Sequence, residues 1–568
     1  MAGPFNMPDE YVQGLFKAGQ SLVQSLTGVH SDAPTGAVAP AGTALARLQA
    51  VYWQRQMALW AGMLSSAAGT AQEPAVAPER GDRRFNAEEW RANPWYSLLK
   101  QTYLLNSRLL TDMVEAADLG EKEKHKLRFY ARQFIDAMSP ANYALTNPDV
   151  QKLALETQGE SIKAGLANLF GDLRKGRLSI TDETAFDVGT NVAASKGSVV
   201  FENDLFQLIQ YAPLTDTVAI RPLVIVPPCI NKFYILDLQP DNSFVRFVCE
   251  QGMTVFLVSW RNPGAEQAGT TWDNYLEQGV MKAIEVALAI SGADKVNALG
   301  WCVGGTMLSS ALAVMRSQGD KRVASLTLLT TMLDFRDPGD LGVFIDEQGV
   351  SQREQTIGSG GIYPGAELGT VFQTLRANDL IWPNVINNYL KGKSPEAFDL
   401  LYWNADGTNL PGPMYAWYLR NMYLENKLCV PNQLTMCDTK VDLGQIDMPS
   451  YVLATQEDHI VPWKSAYRTT QLLGGKSQFV LGASGHIAGV INPASKNKRS
   501  YWAGGKQGDD PEAWLATAAA VPGSWWTDWM RWLKPQAGKT VPARERLGNA
   551  KHKPIEPAPG RYVKVRGQ

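Results

Sequence analysis

The chain has 568 residues, 45% hydrophobic and 19% charged, with 54 basic against 56 acidic side chains and a formal net charge of −2. That length exceeds one simple core and describes an ordinary globular protein of two domains or one decorated domain, with no charge excess to recruit nucleic acid or an anionic membrane. No run approaches the ~18–20 apolar residues of a membrane helix, no signal peptide is read at the start, and five widely spaced cysteines (Cys229, Cys249, Cys302, Cys429, Cys437) suit a reducing cytoplasm rather than a disulfide framework or a zinc finger.

Residues 1–81 read as a variable, partly disordered N-terminal region. Asp32 to Ala44 and Glu73 to Gly81 are Pro/Gly/Ala linkers by composition, and Leu45 to Ala68 between them has helical periodicity. Residues 82–183 form a helical domain, with long apolar-periodic runs at Trp95 to Glu115, Glu121 to Met138 and Pro148 to Lys175. It holds no catalytic constellation; His125, in a run of alternating charge, reads as part of a solvated face.

From residue 184 onward strands alternate with helices. Short strands at Ser198 to Phe201, Phe206 to Tyr211 and Pro222 to Val226 precede a helix at Tyr234 to Glu250. A strand at Thr254 to Ser259 and a helix at Asn274 to Ser291 lead to a further strand ending in Gly300-Trp301-Cys302-Val303-Gly304-Gly305. The alternation predicts a parallel sheet covered on both faces. After a strand at Ala324 to Thr330 the period breaks over 334–447, a stretch placed where a cap or lid over an active site belongs. The sheet resumes at Ser450 to Ala454 and Ser477 to Leu481. Trp525, Trp526, Trp529 and Trp532 then recur at helical spacing, suited to core packing or to adhesion, and a basic Pro-rich tail (Lys551 to Arg566) is expected to run extended over the surface.

Strand, G-x-C-x-G and helix make a nucleophile elbow with Cys in the place of Ser. Free thiol has a pKa near ~8.5, so Cys302 needs a base. Of the five histidines, His459 and His486 lie in loops after strands; His486, Gly-flanked after Ser477 to Leu481, is preferred, and Asp458 is the acid. The order Cys302, Asp458, His486 is that of the α/β-hydrolase fold. The oxyanion hole is expected from the backbone N–H of Val303 and of Ile230 or Asn231, in the loop after Val226. Thiolate is both a good nucleophile and a good leaving group, which favours acyl transfer from a thioester such as an acyl-CoA. Cys437 is a weaker second-thiol candidate and reads as structural. No metal site or resident cofactor is expected, and no substrate-binding residue can be assigned.

Together these residues resemble the class I polyhydroxyalkanoate synthases, or poly(3-hydroxybutyrate) polymerases. The resemblance is carried by Gly300 to Gly305, Pro227-Pro228 with Ile230 to Asp237, Asn378-Asp379-Leu380 with Trp382, and Leu401 to Asn404 with Thr408 to Pro411. Lys553 to Val563, Asp82 to Phe85 and Asn93-Pro94 extend it over about 82–566. Val303-Gly304-Gly305 is similar to class I rather than to the medium-chain class, while Trp301 stands where Phe is expected. The resemblance implies an acyltransferase that polymerises (R)-3-hydroxybutyryl-CoA, with Cys302 carrying the acyl chain, His486 as base, and Asp458 either orienting His486 or helping to activate the 3-hydroxyl. It also implies a cytoplasmic homodimer, joined through the cap, that works at the surface of polymer granules with granule-associated proteins, its N-terminal domain bearing on granule, partner or dimer contacts. A thioesterase or polyester depolymerase of the same fold, and a non-enzymatic granule-surface protein, are the competing expectations.

Overall fold

The computed structural model describes residues 40–66, 76–78 and 82–567. The expected linkers at Asp32 to Ala44 and Glu73 to Gly81 fall largely outside them. Two compact units emerge: one holds the described residues up to Asp182 together with Thr370–Glu396, the other Glu183–Gly369 and 397–567. Among the described residues no helix is long and apolar enough to cross a membrane.

The first unit is helical. Helix α1 (Pro40–Ser66) packs on α2 (Pro94–Ala116), where the Tyr52 hydroxyl donates to Asn106 at 2.8 Å. Helix α3 (Glu121–Ala137) follows. The run expected as one helix over Pro148 to Lys175 is two, α4 (Pro148–Glu156) and α5 (Glu160–Lys175), because Gln158 and Gly159 turn at φ 49° and 87°. Residues 370–396, inside the expected 334–447 insertion, pack here. Gly165 lets the backbone of Tyr389 lie against α5, where a Cβ would collide with its carbonyl. The Tyr389 hydroxyl donates to Asp172 at 2.7 Å and Asn388 Nδ2 to the Ser179 carbonyl at 2.7 Å.

The second unit is built on an 11-stranded sheet. Its strands in chain order are β1 (Gly197–Glu202), β2 (Phe206–Tyr211), β3 (Leu223–Val226), β4 (Val255–Trp260), β5 (Val296–Trp301), β6 (Val323–Leu329), β7 (Ser450–Thr455), β8 (Ser477–Gly482), β9 (Ser500–Ala503), β10 (Ala519–Pro522) and β11 (Glu556–Pro557). Across the sheet they run β10-β9-β8-β7-β6-β5-β3-β4-β2-β1-β11. The six strands β3 to β8 are parallel, and the flanking ones pair antiparallel, so the sheet is mixed rather than purely parallel. The central strands are largely apolar because both faces are covered; every residue of β5 is buried, Asn297 included, which accepts from Ser325.

Three departures from the sequence reading have local causes. Tyr234 to Glu250 is two short 3-10 turns and then a helix, Phe244–Glu250. Pro240 interrupts it, and Ser243 caps the helix while donating to buried Asp237 at 2.6 Å. Strands β9 and β10, not anticipated, follow β8, so Ser477–Gly482 is the last parallel strand but not the last strand. The tail does not lie loose on the surface: β11 pairs with β1, and Tyr562 and Val563 are buried.

Candidate active site

In a parallel sheet the loops at the carboxyl ends of neighbouring strands converge on one edge. The loops after β3, β5, β7 and β8 carry Ile230–Asn231, Cys302, Asp458 and His486. Cys302 stands between β5 and helix α6 (Val303–Ser317) at φ 52° and ψ −129°, a conformation that costs a non-glycine residue ~1–3 kcal/mol. Its N–H donates to Leu329 O at 2.9 Å, and its carbonyl accepts from Gly305 and Thr306. The turn closes only because three positions lack a side chain. A Cβ on Gly300 would run into the Gly305 backbone, one on Gly304 into the carbonyls of Val226 and Pro227, and one on Gly305 into Thr331. Trp301 gives its indole N–H to Thr330 at 2.8 Å. The sulfur that results is half-buried, not sealed in the core.

Asp458 and His486 meet it. His486 Nδ1 lies 2.7 Å from Asp458 Oδ2, with the two side chains 6% and 0% exposed. The other Asp458 oxygen accepts from Ile460 and Val461 N–H at 2.9 Å each, and Thr455 donates to Oδ2 at 3.2 Å. Asp458 occupies Nδ1, so Nε2 is the nitrogen left to interact with the neighbouring Cys302. Burial works against a charged ring. The Asp458 carboxylate and the adjacent Cys302 outweigh it and push His486 up to about 10. None of these contacts involves His459, the other loop histidine.

Val303 is the first residue of α6, where a backbone N–H has no acceptor within the helix. In the loop after β3, Cys229 is buried and its thiol, pushed up to about 12 chiefly by burial, also feels Cys302. Asn231 bridges Gly407, and Ile230 accepts from Thr408 N–H at 2.9 Å. That leaves the two amides of Ile230 and Asn231 as the expected donors beside Val303.

Several residues around the sulfur escaped the sequence. Tyr418 and Tyr423 meet edge-on, with ring centroids 5.4 Å apart. Burial raises both phenols, and Cys302 adds to the effect on each. Tyr418 stacks on Trp272 at 5.2 Å, and Phe335 meets Tyr423 edge-on at 4.9 Å. The two tyrosines lie on an α-helix, Gly412–Tyr418, followed by a π-helical turn, Leu419–Leu424. The wider turn brings residues five apart onto one face, a pairing that a 3.6-residue period hides.

The tryptophans of helix α7 (Trp525–Leu533) belong to the core and hold the histidine loop. Trp525, Trp526 and Trp529 are buried. Trp525 Nε1 donates to Gly489 O at 3.0 Å and Trp526 Nε1 to Val490 O at 2.9 Å, three and four residues beyond His486. Trp525→Phe keeps a ring but strands the Gly489 carbonyl. It should cost ~1–3 kcal/mol in chemical denaturation and lower turnover; an unchanged midpoint would separate these indoles from the loop.

The same folds and motifs recur in known proteins. Residues 81–248 match the family described as the poly-beta-hydroxybutyrate polymerase (PhaC) N-terminus, and residues 222–493 match the alpha/beta hydrolase fold. The poly(3-hydroxyalkanoate) polymerase subunit PhaC of Cupriavidus necator is 53% identical over 560 residues, covering 98% of this chain and 93% of that relative. The subunit of the same name from Rhizobium meliloti is 41% identical, covering 89% and 84%, and the poly(3-hydroxyalkanoate) polymerase of Methylorubrum extorquens is 44% identical, covering 90% and 85%. With an alpha/beta hydrolase fold and a relative this similar along nearly its whole length, the chain belongs to the poly(3-hydroxyalkanoate) polymerase family.

Proposed function

We propose that this protein is a class I acyltransferase that polymerises (R)-3-hydroxybutyryl-CoA into polyester with release of CoA, through acyl-thioesters on Cys302. The observation that carries this reading is a half-buried cysteine on a strained elbow, beside a buried His–Asp pair, in a chain of the polymerase family. His486 takes the thiol proton, and the thiolate adds to the thioester carbonyl. The oxygen that becomes negative is received by Val303 N–H and an amide of Ile230 or Asn231. CoA leaves as a thiolate and regains the proton from His486. The 3-hydroxyl of the next 3-hydroxybutyryl-CoA, deprotonated by the same ring, attacks the acyl-cysteine. The ester forms as the Cys302 thiolate leaves, and the lengthened chain, still a CoA thioester, re-acylates Cys302 with release of CoA. Nothing in this sequence calls for a cofactor or a metal.

Asp458 orients His486 in this scheme. Its oxygens accept from His486, Thr455 and two loop amides, and its carboxylate is 0% exposed, so an incoming hydroxyl has no free face of it to use. The cap elements keep water from the acyl-cysteine. A cytoplasmic homodimer at the surface of polymer granules, in contact with granule-associated proteins, completes the proposal.

Purified protein given 3-hydroxybutyryl-CoA should release CoA and accumulate insoluble polyester. Free 3-hydroxybutyrate as the sole product would make it a thioesterase. Parallel reactions with four-, five- and six-carbon donors rank the side-chain preference.

A further inference from the structure

Beyond β11 the chain returns to the loop that follows β3. Lys232, 3% exposed, donates Nζ to the Val565 carbonyl at 2.6 Å. Asn262 donates to the Arg566 carbonyl at 3.0 Å, and a Cβ on Gly567 would lie 2.7 Å from Gly407 O. The Arg566 guanidinium rests over the Tyr402 ring, donates to its hydroxyl at 3.1 Å and pairs with Glu183 at 3.3 Å.

The loop is gripped from its other side by 403–408. Trp403 Nε1 donates to Lys232 O at 2.6 Å, Asn231 bridges Gly407, Thr408 N–H reaches Ile230 O, and Tyr234 donates to Asp406 at 2.9 Å. Residues 229–232 are thus pinched between two segments distant in sequence, and Lys232 is the side chain that reaches the outer one.

That lysine is an expensive fastener. Burial works against its charge, Asp406 supports it and Arg566 opposes it, so its ammonium is brought down to about 8. A methionine would fill the space without burying a charge. Holding an ammonium on a single backbone carbonyl makes sense where position matters more than stability.

We propose that segment 562–567, acting through Lys232, is a positioning element that fixes the 229–232 amides at the acyl oxygen of the reacting thioester. The proposal rests on the reading that this loop supplies the second oxyanion donor. Lys232 touches no reacting atom and acts through the backbone of its own loop. Oxyanion donors work only when aimed at the site of developing charge, and loss of one costs ~10²–10³ in rate. A donor displaced by an ångström should cost ~10–10².

Two reactions at one sulfur separate this from a general weakening. Acyl transfer from 3-hydroxybutyryl-CoA develops charge on a carbonyl oxygen; alkylation of Cys302 by iodoacetamide is a displacement at saturated carbon and develops none there. In Lys232→Met, kcat for CoA release should fall ~10-fold or more, with KM and the Cys302 alkylation rate (followed by peptide mass) within about two-fold of the parent. Equal loss of both reactions, or of neither, would overturn the proposal. If Lys232→Met does not fold, Arg566→Gln loosens the same strap from its half-exposed end. It should lower acyl transfer about two- to five-fold and leave alkylation unchanged, and full acyl transfer in that variant would also overturn it. Failure of the polymerase reading looks different: the parent protein itself would release no CoA.

Discussion

Cys302→Ala should abolish CoA release, lowering it by roughly 10⁴-fold or more while the protein stays folded. The reasoning is chemical first. Alanine at this position keeps the elbow's backbone and removes the sulfur proposed to hold the acyl group. Cys302→Ser keeps a nucleophile of the wrong softness and acidity, so its turnover should fall steeply and any acyl-enzyme should trap as an ester. The elbow's strain supplies a second readout. At φ 52° Cys302 sits where side chains are disfavoured. Cys302→Gly relieves ~1–3 kcal/mol and loses ~0.5–1 kcal/mol to the freedom of glycine in the unfolded chain. Relative to Cys302→Ala it should therefore be more stable by about 1 kcal/mol in denaturant melts, and equally inactive. Polymer formation by Cys302→Ala at the parental rate would end the thiol mechanism; Cys302→Gly melting below Cys302→Ala would remove the strain argument.

The strands that carry the site were legible for a simple reason. Leu223 to Val226 is an apolar run, and Val296 to Trp301 is apolar apart from Asn297; both are buried on both faces, as sheet-core strands are. Cys302, Asp458 and His486 stood out because each follows a strand directly, so chain order carried three-dimensional information. What stayed hidden depends on side-chain partners distant in sequence. Tyr418 and Tyr423 meet through a π-helical turn that no periodicity announces. Lys232 looked like one more basic residue in a loop, and its meaning comes from a carbonyl more than three hundred residues away. The indoles of Trp525 and Trp526 read as bulk, whereas their N–H groups fasten the loop that carries His486. Residues 370–396 sat within a stretch of broken period, and the close approach at Gly165 together with the Tyr389 and Asn388 hydrogen bonds reveals that they pack with the N-terminal helices.

His486→Gln should lower kcat by roughly 10²–10⁴-fold, the usual contribution of a positioned general base, and His459→Gln should leave most activity intact. The two residues compete in the sequence because both sit in loops after strands. In the structure the Asp458 carboxylate bonds the His486 ring, and Cys302 is the second group that acts on it. A reversed ranking of the two variants would transfer the base role to His459. The same pair predicts a pH dependence with a definite sign. The ring's folded value, near 10, lies above its ordinary 6.5, so the folded state holds the proton more tightly than the unfolded chain. The resulting stability is full below about 6.5, declines as the pH rises, and is lost once the pH passes about 10. Asp458→Asn removes the carboxylate that raises the ring and leaves burial to push it down. Thermal melts should therefore show the parent's advantage over Asp458→Asn to be largest at mildly acid pH, shrinking toward pH 10. Activity in Asp458→Asn should fall together with that of His486→Gln, because an unsupported ring loses both its orientation and its hold on the thiol proton. A stability gap that widens with pH would show that the His–Asp pair is not held as an ion pair, and the base assignment would have to be argued without it.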